Sequence, residues 1–335
     1  MPAVEMSLTV IVVLVMLALA FDFMNGFHDA ANSIATIVST RVLKPHQAVL
    51  WAAFFNVVAI FIFHLSVART IGKGTIDPGI VDHYVVFGAL IGAITWNIVT
   101  WYYGIPSSSS HALIGGLVGA AVAKGGMGTL IWGGLGKALL FILVAPVLGF
   151  ALGGMIMVAI AWLCNDMAPK RVDKVFRRLQ LVSAAAYSIG HGGNDAQKTI
   201  GIIWMLLVAA GVTTAADSVQ ACVIVHWYTS MGLGTMFGGW RIVRTMGQRI
   251  TKLNQAKGFS ANMGGAITLF MSTMLGIPVS TTHTITGAIA GVGATGGPKN
   301  VRWGVAGGIV WAWILTIPAS ALFAAIAWWI GRLAL

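Results

Sequence analysis

Two stretches of this chain carry matching residues in the same order. They are Gly104-Ile105-Pro106-Ser107-Ser108-Ser109-Ser110-His111 and Gly276-Ile277-Pro278-Val279-Ser280-Thr281-Thr282-His283. Proline lacks an N–H and clashes with the turn before it, so Gly-Ile-Pro ends a helix. The small hydroxyl residues behind it are suited to begin another, because their oxygens accept from the free N–H groups of a first turn. A helix start also presents partial positive charge, which draws anions. A Pro-kinked helix with hydroxyls bonded back to its own carbonyls would explain one copy. Two copies in matching order, both deep in apolar sequence, are read instead as paired half-helix starts aimed at one small oxyanion.

The surrounding chain suits a membrane. Of 335 residues, 58% are hydrophobic and 9% charged, against about 25% charged in soluble domains. Mean hydropathy is +0.87. The opening Met-Pro-Ala-Val-Glu has no basic region of a secretory signal, so no cleaved leader is expected. Cys164 and Cys222 form neither a disulfide framework nor a metal spacing and are expected reduced or packed.

Ten apolar segments are expected, near 3–40, 46–68, 84–103, 105–123, 129–163, 181–213, 216–238, 261–277, 278–295 and 303–331. About 20 residues suffice for one crossing, so the longest cannot be one straight helix and some short ones can be re-entrant. The net charge of +11 would suit nucleic acid, but its distribution excludes that. Lys170, Arg171, Lys174, Arg177 and Arg178 fill one break between segments; Arg241, Arg244, Arg249, Lys252 and Lys257 fill another. Basic residues in short loops mark the cytoplasmic side. Alternation then adds Arg41, Lys44, Lys299 and Arg302, which gathers fourteen of twenty basic residues inside and both termini outside.

The chain also repeats. Gly26-Phe27-His28-Asp29-Ala30-Ala31-Asn32-Ser33-Ile34 matches Gly192-Gly193-Asn194-Asp195-Ala196-Gln197-Lys198-Thr199-Ile200 at an offset of 166, and the Gly-Ile-Pro twins follow at 172. Five expected crossings separate Asp29 from Asp195, an odd number, so the halves are inverted. Inverted repeats with interrupted helices are a secondary-transporter architecture whose site lies at the midplane. The expected fold is an all-α polytopic membrane protein of roughly ten to twelve segments. Its first repeat is 1–164, a basic cytoplasmic loop covers 165–180, and the second repeat is 181–335, the halves interlocking as one transport unit.

Asp29 and Asp195 sit in apolar surroundings, where a charge costs roughly 2.5–3.5 kcal/mol on insertion scales. Each has amide or imidazole neighbours: His28 and Asn32 for one, Asn194 and Gln197 for the other. The preceding glycines are expected to unwind the helix, and carboxylate, amide and freed carbonyl oxygens suit a hard cation or a proton. The structural alternative is an Asp capping a broken helix. Lys198, one turn after Asp195, either pairs with it or helps neutralise the anion. Asp22, one to two turns before Asp29, is either a third coupling carboxylate or interfacial. His111 and His283 either donate to substrate or titrate, or else fix their half-helices through backbone bonds. His191 lies one turn from Asp195. No HExxH, CxxC or nucleotide motif is present, so neither a fixed metal nor ATP drive is indicated, and no nucleophile–base pairing stands out that would suggest an enzyme.

These motifs resemble the inorganic phosphate transporter (PiT) family, marked by duplicated Gly-x-Asn-Asp-x-x-Asn and Pro-Ser/Thr-Ser/Thr-x-His patterns. The resemblance covers nearly the whole chain. It implies a phosphate symporter, commonly a homodimer in lipid, working without a cofactor. It assigns phosphate to Ser108, Ser109, Ser110, Ser280, Thr281 and Thr282, and the coupling cation to Asp29, Asn32, Asn194 and Asp195. His28 stands where the family commonly has Asn, as in bacterial low-affinity, proton-coupled members of the prokaryotic inner membrane. Some of these carry phosphate as a neutral complex with a divalent metal. The coupling cation is therefore H⁺ or Na⁺. The same fold carrying sulfate is the alternative; a channel or a non-transporting receptor is a more distant one.

Overall fold

The computed structural model describes residues 6–214 and 221–334. The chain start, residues 215–220 at the head of the expected 216–238 segment, and the Cys222 side chain lie outside the described residues. The first half runs α1 (Leu8–Ser39), α2 (Pro45–Val58), α3 (Ser66–Gly74), α4 (His83–Tyr103), α5 (Ser109–Gly125) and α6 (Trp132–Leu163). The second repeats the order: α7 (Pro169–Ala209), α8 (Ala221–Phe237), α9 (Trp240–Arg244) running into a π-helical turn Thr245–Arg249, α10 (Gln255–Met274), α11 (Thr281–Ala294) and α12 (Trp303–Ala334).

Four of these helices, α1, α4, α6 and α12, are long and apolar enough to cross a bilayer, and α2 with α3 makes a fifth candidate, bent by 83° at its break. The outward faces of α6 and α12 carry Leu139, Leu140, Leu143, Trp311, Ile314 and Leu315, all exposed and apolar as a lipid-facing surface requires. The inner helices are more polar because they face protein. The expected 46–68 segment is broken where Phe61 leads into a loop ending at Leu65.

Gly-Ile-Pro breaks the chain as its residues dictate. Gly104 and Gly276 take φ of +66° and +69°, left-handed values open to glycine without strain. Each closes a helical hairpin. In the first, Lys124 at the end of α5 reaches Asp82, the N-cap of α4, at 2.7 Å, so the arms run antiparallel. In the second, the Arg302 N–H donates to Ile250 O and Thr251 Oγ1 to Asn300 O, which ties the start of α10 to the end of α11. Each hairpin tip is latched to the other half: Thr245 Oγ1 donates to Gly104 O at 3.0 Å and Thr70 Oγ1 to Gly276 O at 2.7 Å.

Two expectations are corrected. The Asp motifs do not unwind: α1 and α7 run unbroken through them. Their glycines serve close packing instead. A Cβ on Gly26 would lie 2.0 Å from Met231 O of α8, and one on Gly192 2.3 Å from Asn56 O of α2. The basic stretch 165–180 is a loop only to Ala168; Pro169 occupies the first turn of α7, and no Gly or Pro follows before 190 to stop it. The basic breaks do gather at one end of the molecule. Arg177 bonds Arg41 O, and Gln255 bonds Thr40 O.

Candidate functional site

The first turns of α5 and α11 are built alike. Ser108 Oγ accepts from the His111 N–H at 3.3 Å, and Ser280 Oγ from the His283 N–H at 3.2 Å. These two serines therefore act as N-caps. The hydroxyls next in line face the Asp motifs. Ser110 Oγ donates to Asp195 Oδ1 at 3.3 Å, and Thr282 Oγ1 to Asp29 Oδ1 at 3.4 Å, so each half-helix reaches the carboxylate of the other half. Thr281 Oγ1 donates to Asp195 Oδ2 at 2.9 Å, while Ser109 Oγ is buried without a partner among the described residues.

Asp29, His191 and Asp195 each bring a ligand atom within 4.8 Å of the others. His191 Nε2 stands 3.2 Å from Asp195 Oδ2, as their spacing on one helix face allowed. His28 Nδ1 stands 2.7 Å from Asp29 Oδ1, and its Nε2 meets Thr100 Oγ1 at 3.0 Å. Asn32 donates to Thr281 Oγ1 at 3.2 Å and Thr282 Oγ1 at 2.9 Å. Lys198 forms the ion pair, with Nζ 2.5 Å from Asp195 Oδ1. All of these side chains are buried. Two carboxylates this close repel unless a cation or proton is shared between them.

The remaining sequence candidates take other places. Asn194 clamps the second hairpin tip: its amide donates to Thr273 Oγ1 and Ile277 O, and accepts from the Val279 N–H at 3.2 Å. Gln197 accepts from the Val67 N–H at 3.0 Å and donates to His64 O, so it caps α3. Asp22 accepts from Thr199 Oγ1 at 2.6 Å and is buried. His111 and His283 meet edge to face with centroids 4.5 Å apart, and His283 stacks on Trp313 at 3.7 Å, so the pair joins the two hairpins.

Sequence reasoning missed several supporting residues. Tyr187 donates to Thr281 O at 2.9 Å, Ser33 Oγ lies 3.3 Å from His191 Nδ1, and Ser107 donates to Thr100. Ser33, one turn beyond Asp29, and Ser107, inside the first Gly-Ile-Pro motif, carried a signal; Tyr187 carried none. A cavity of 410 Å³ between the first hairpin tip and α12 runs from Arg249 at the basic end, past Thr245 and Gly104, to Thr100.

A profile described as the phosphate transporter family matches residues 25–170 and again 164–324, one match to each half. A probable low-affinity inorganic phosphate transporter of Rhizobium meliloti is 57% identical over 328 residues, covering 98% of both chains. One of Bacillus subtilis is 44% identical, covering 97% of this chain and 98% of its own. A solved structure, the sodium-dependent phosphate transporter, superposes with a TM-score of 0.89 at 25% identity, covering 98% of this chain and all of that one.

Proposed function

The chain belongs to the phosphate transporter family, and from that premise we propose that this multi-pass membrane transporter imports inorganic phosphate by alternating access, coupled to entry of H⁺ or Na⁺. One observation carries the reading: the first turns of α5 and α11, from opposite halves, meet at Asp195, and α11 also reaches Asp29.

An anion cannot rest in the bilayer interior unless its hydration is replaced. Two helix starts supply N–H dipoles, and Ser109, Ser110, Thr281 and Thr282 supply hydroxyls. Asp29 and Asp195 would then repel phosphate unless they carry a cation or a proton. That repulsion makes one bound species a condition for the other, which is coupling. The carboxylates also favour phosphate over sulfate, because a protonated phosphate oxygen can donate to Asp while sulfate has no proton to give. The basic breaks, tied together by Arg177 on Arg41 O and Gln255 on Thr40 O, mark the cytoplasmic end, which leaves both termini outside.

The test is uptake of labelled phosphate into proteoliposomes under an inward proton gradient without sodium, and under a sodium gradient at equal pH. Uptake with either gradient, resisting excess sulfate, is the expected result. Equal uptake without any gradient would overturn coupling, and preferential sulfate uptake would overturn the substrate. An added Mg²⁺ arm shows whether phosphate travels as a metal complex.

A further inference from the structure

The relation that maps Asp29 onto Asp195 also maps Asn32 onto Lys198, each three residues further on. Each position lies by a carboxylate and a hydroxyl, Asp195 with Ser110 and Asp29 with Thr282, and the two are filled differently. Around Lys198 Nζ lie Asp195 Oδ1 at 2.5 Å, Ser110 Oγ at 2.5 Å and Val279 O at 2.6 Å. A carboxylate, a hydroxyl and a carbonyl freed at a helix break are the oxygen donors a hard cation takes. The lysine is 2% exposed, so its ammonium replaces water contacts wholly with these oxygens.

The first half offers Asp29 and Thr282, the counterparts of Asp195 and Ser110, with an amide in place of the ammonium. Asn32 Oδ1 is buried there without a hydrogen-bond partner among the described residues. Buried oxygens without donors are unusual. This one lies one turn from Asp29, where no lysine stands, whereas the oxygens around Lys198 are all used.

We propose that Lys198 is a tethered cation that permanently holds the second of two equivalent cation half-sites, so that the mobile coupling cation binds only in the first, at Asp29 and Asn32. This rests on the reading of the Asp motifs as cation sites. Lys198 is then the residue that sets the number and identity of coupling ions. Its charge stays with Asp195 through the cycle, and one cation rather than two accompanies each phosphate through these sites.

Exchanging the lysine for the amide of the other half should open the second half-site to sodium. K198N and K198Q are compared with the unsubstituted protein, each purified in NaCl and in choline chloride. Two readouts are taken: melting temperature in detergent, and labelled phosphate uptake in liposomes with a fixed proton gradient. Sodium should raise the melting temperature of the variants by several degrees more than that of the unsubstituted protein. It should also stimulate their uptake at least tenfold. A variant that folds only in sodium supports the proposal, since the free ion then does what the ammonium did. Variants indifferent to sodium, or unfolded in both salts, overturn it. Unsubstituted protein that takes up no phosphate under any gradient would instead sink the transport reading on which the proposal stands.

Discussion

Asp195 is held by more polar groups than any other side chain in the site: Lys198, His191, Ser110 and Thr281 all reach it. Changing it to Asn keeps the shape and strands the Lys198 ammonium. Breaking a buried pair from one side costs about 3–5 kcal/mol. D195N is therefore expected to abolish coupled uptake and to lower the melting temperature. Removing both charges in D195N/K198M should restore the melting temperature and leave uptake abolished. Normal uptake by either variant would remove Asp195 from the coupling site. The hydroxyls act differently, because their loss leaves no stranded charge. S280A/T281A removes one N-cap and one donor, and hydrogen bonds to charged groups contribute about 1.5–3 kcal/mol each. The phosphate KM should rise about tenfold or more, with Vmax changed less. An unchanged KM would place the anion elsewhere.

At the scale of elements, the inner helices are set by how closely their backbones approach. Gly26 against Met231 O and Gly192 against Asn56 O are the same contact made once in each half. G26A and G192A force α1 from α8 and α7 from α2, and overpacking of this kind costs roughly 1–3 kcal/mol. Each variant should melt several degrees lower in a thermal scan, and the pair together lower still. Had these glycines served to loosen the helix, alanine would stabilise it instead. The sequence could not separate those uses, because a glycine that unwinds and one that packs look alike until the partner helix is known. What was legible lay in local chemistry: the Gly-Ile-Pro breaks, Ser108 and Ser280 as helix starts, the Asp195–Lys198 pair one turn apart. What was not legible depends on residues far along the chain. Gln197 looked like an ion ligand beside Asp195, but its amide caps α3. Thr245 and Thr70 carried no signal because they latch hairpin tips 141 and 206 residues away. The run of basic residues after Lys170 read as a loop because charge alone does not tell a solvated helix from a coil.

For the whole molecule, the two halves do not fold side by side. α1 packs on α8 and α7 on α2, each hairpin tip latches to the opposite half, and each Asp is met by a hydroxyl of the opposite hairpin. A lone half would leave Asp195 with Lys198 but without Ser110, and Asp29 without Thr282 or its neighbours on α11. Buried polar groups left unpaired each cost about 1–3 kcal/mol, and several in one core exceed the stability of an ordinary domain. The short exposed turn between Leu163 and Pro169 is where the chain can be cut without touching any of these contacts. Fragments 1–166 and 167–335 expressed separately should accumulate poorly and transport nothing. Expressed together they should assemble, co-purify through a tag on either one, and recover a substantial part of phosphate uptake. The basic start of the second fragment, Lys170 to Arg178, retains the cue that orients it. If either fragment alone transported phosphate, the shared site described for the two hairpins would be wrong. If the pair co-purified but stayed inactive, the 163–169 connection itself would have to be part of the moving structure.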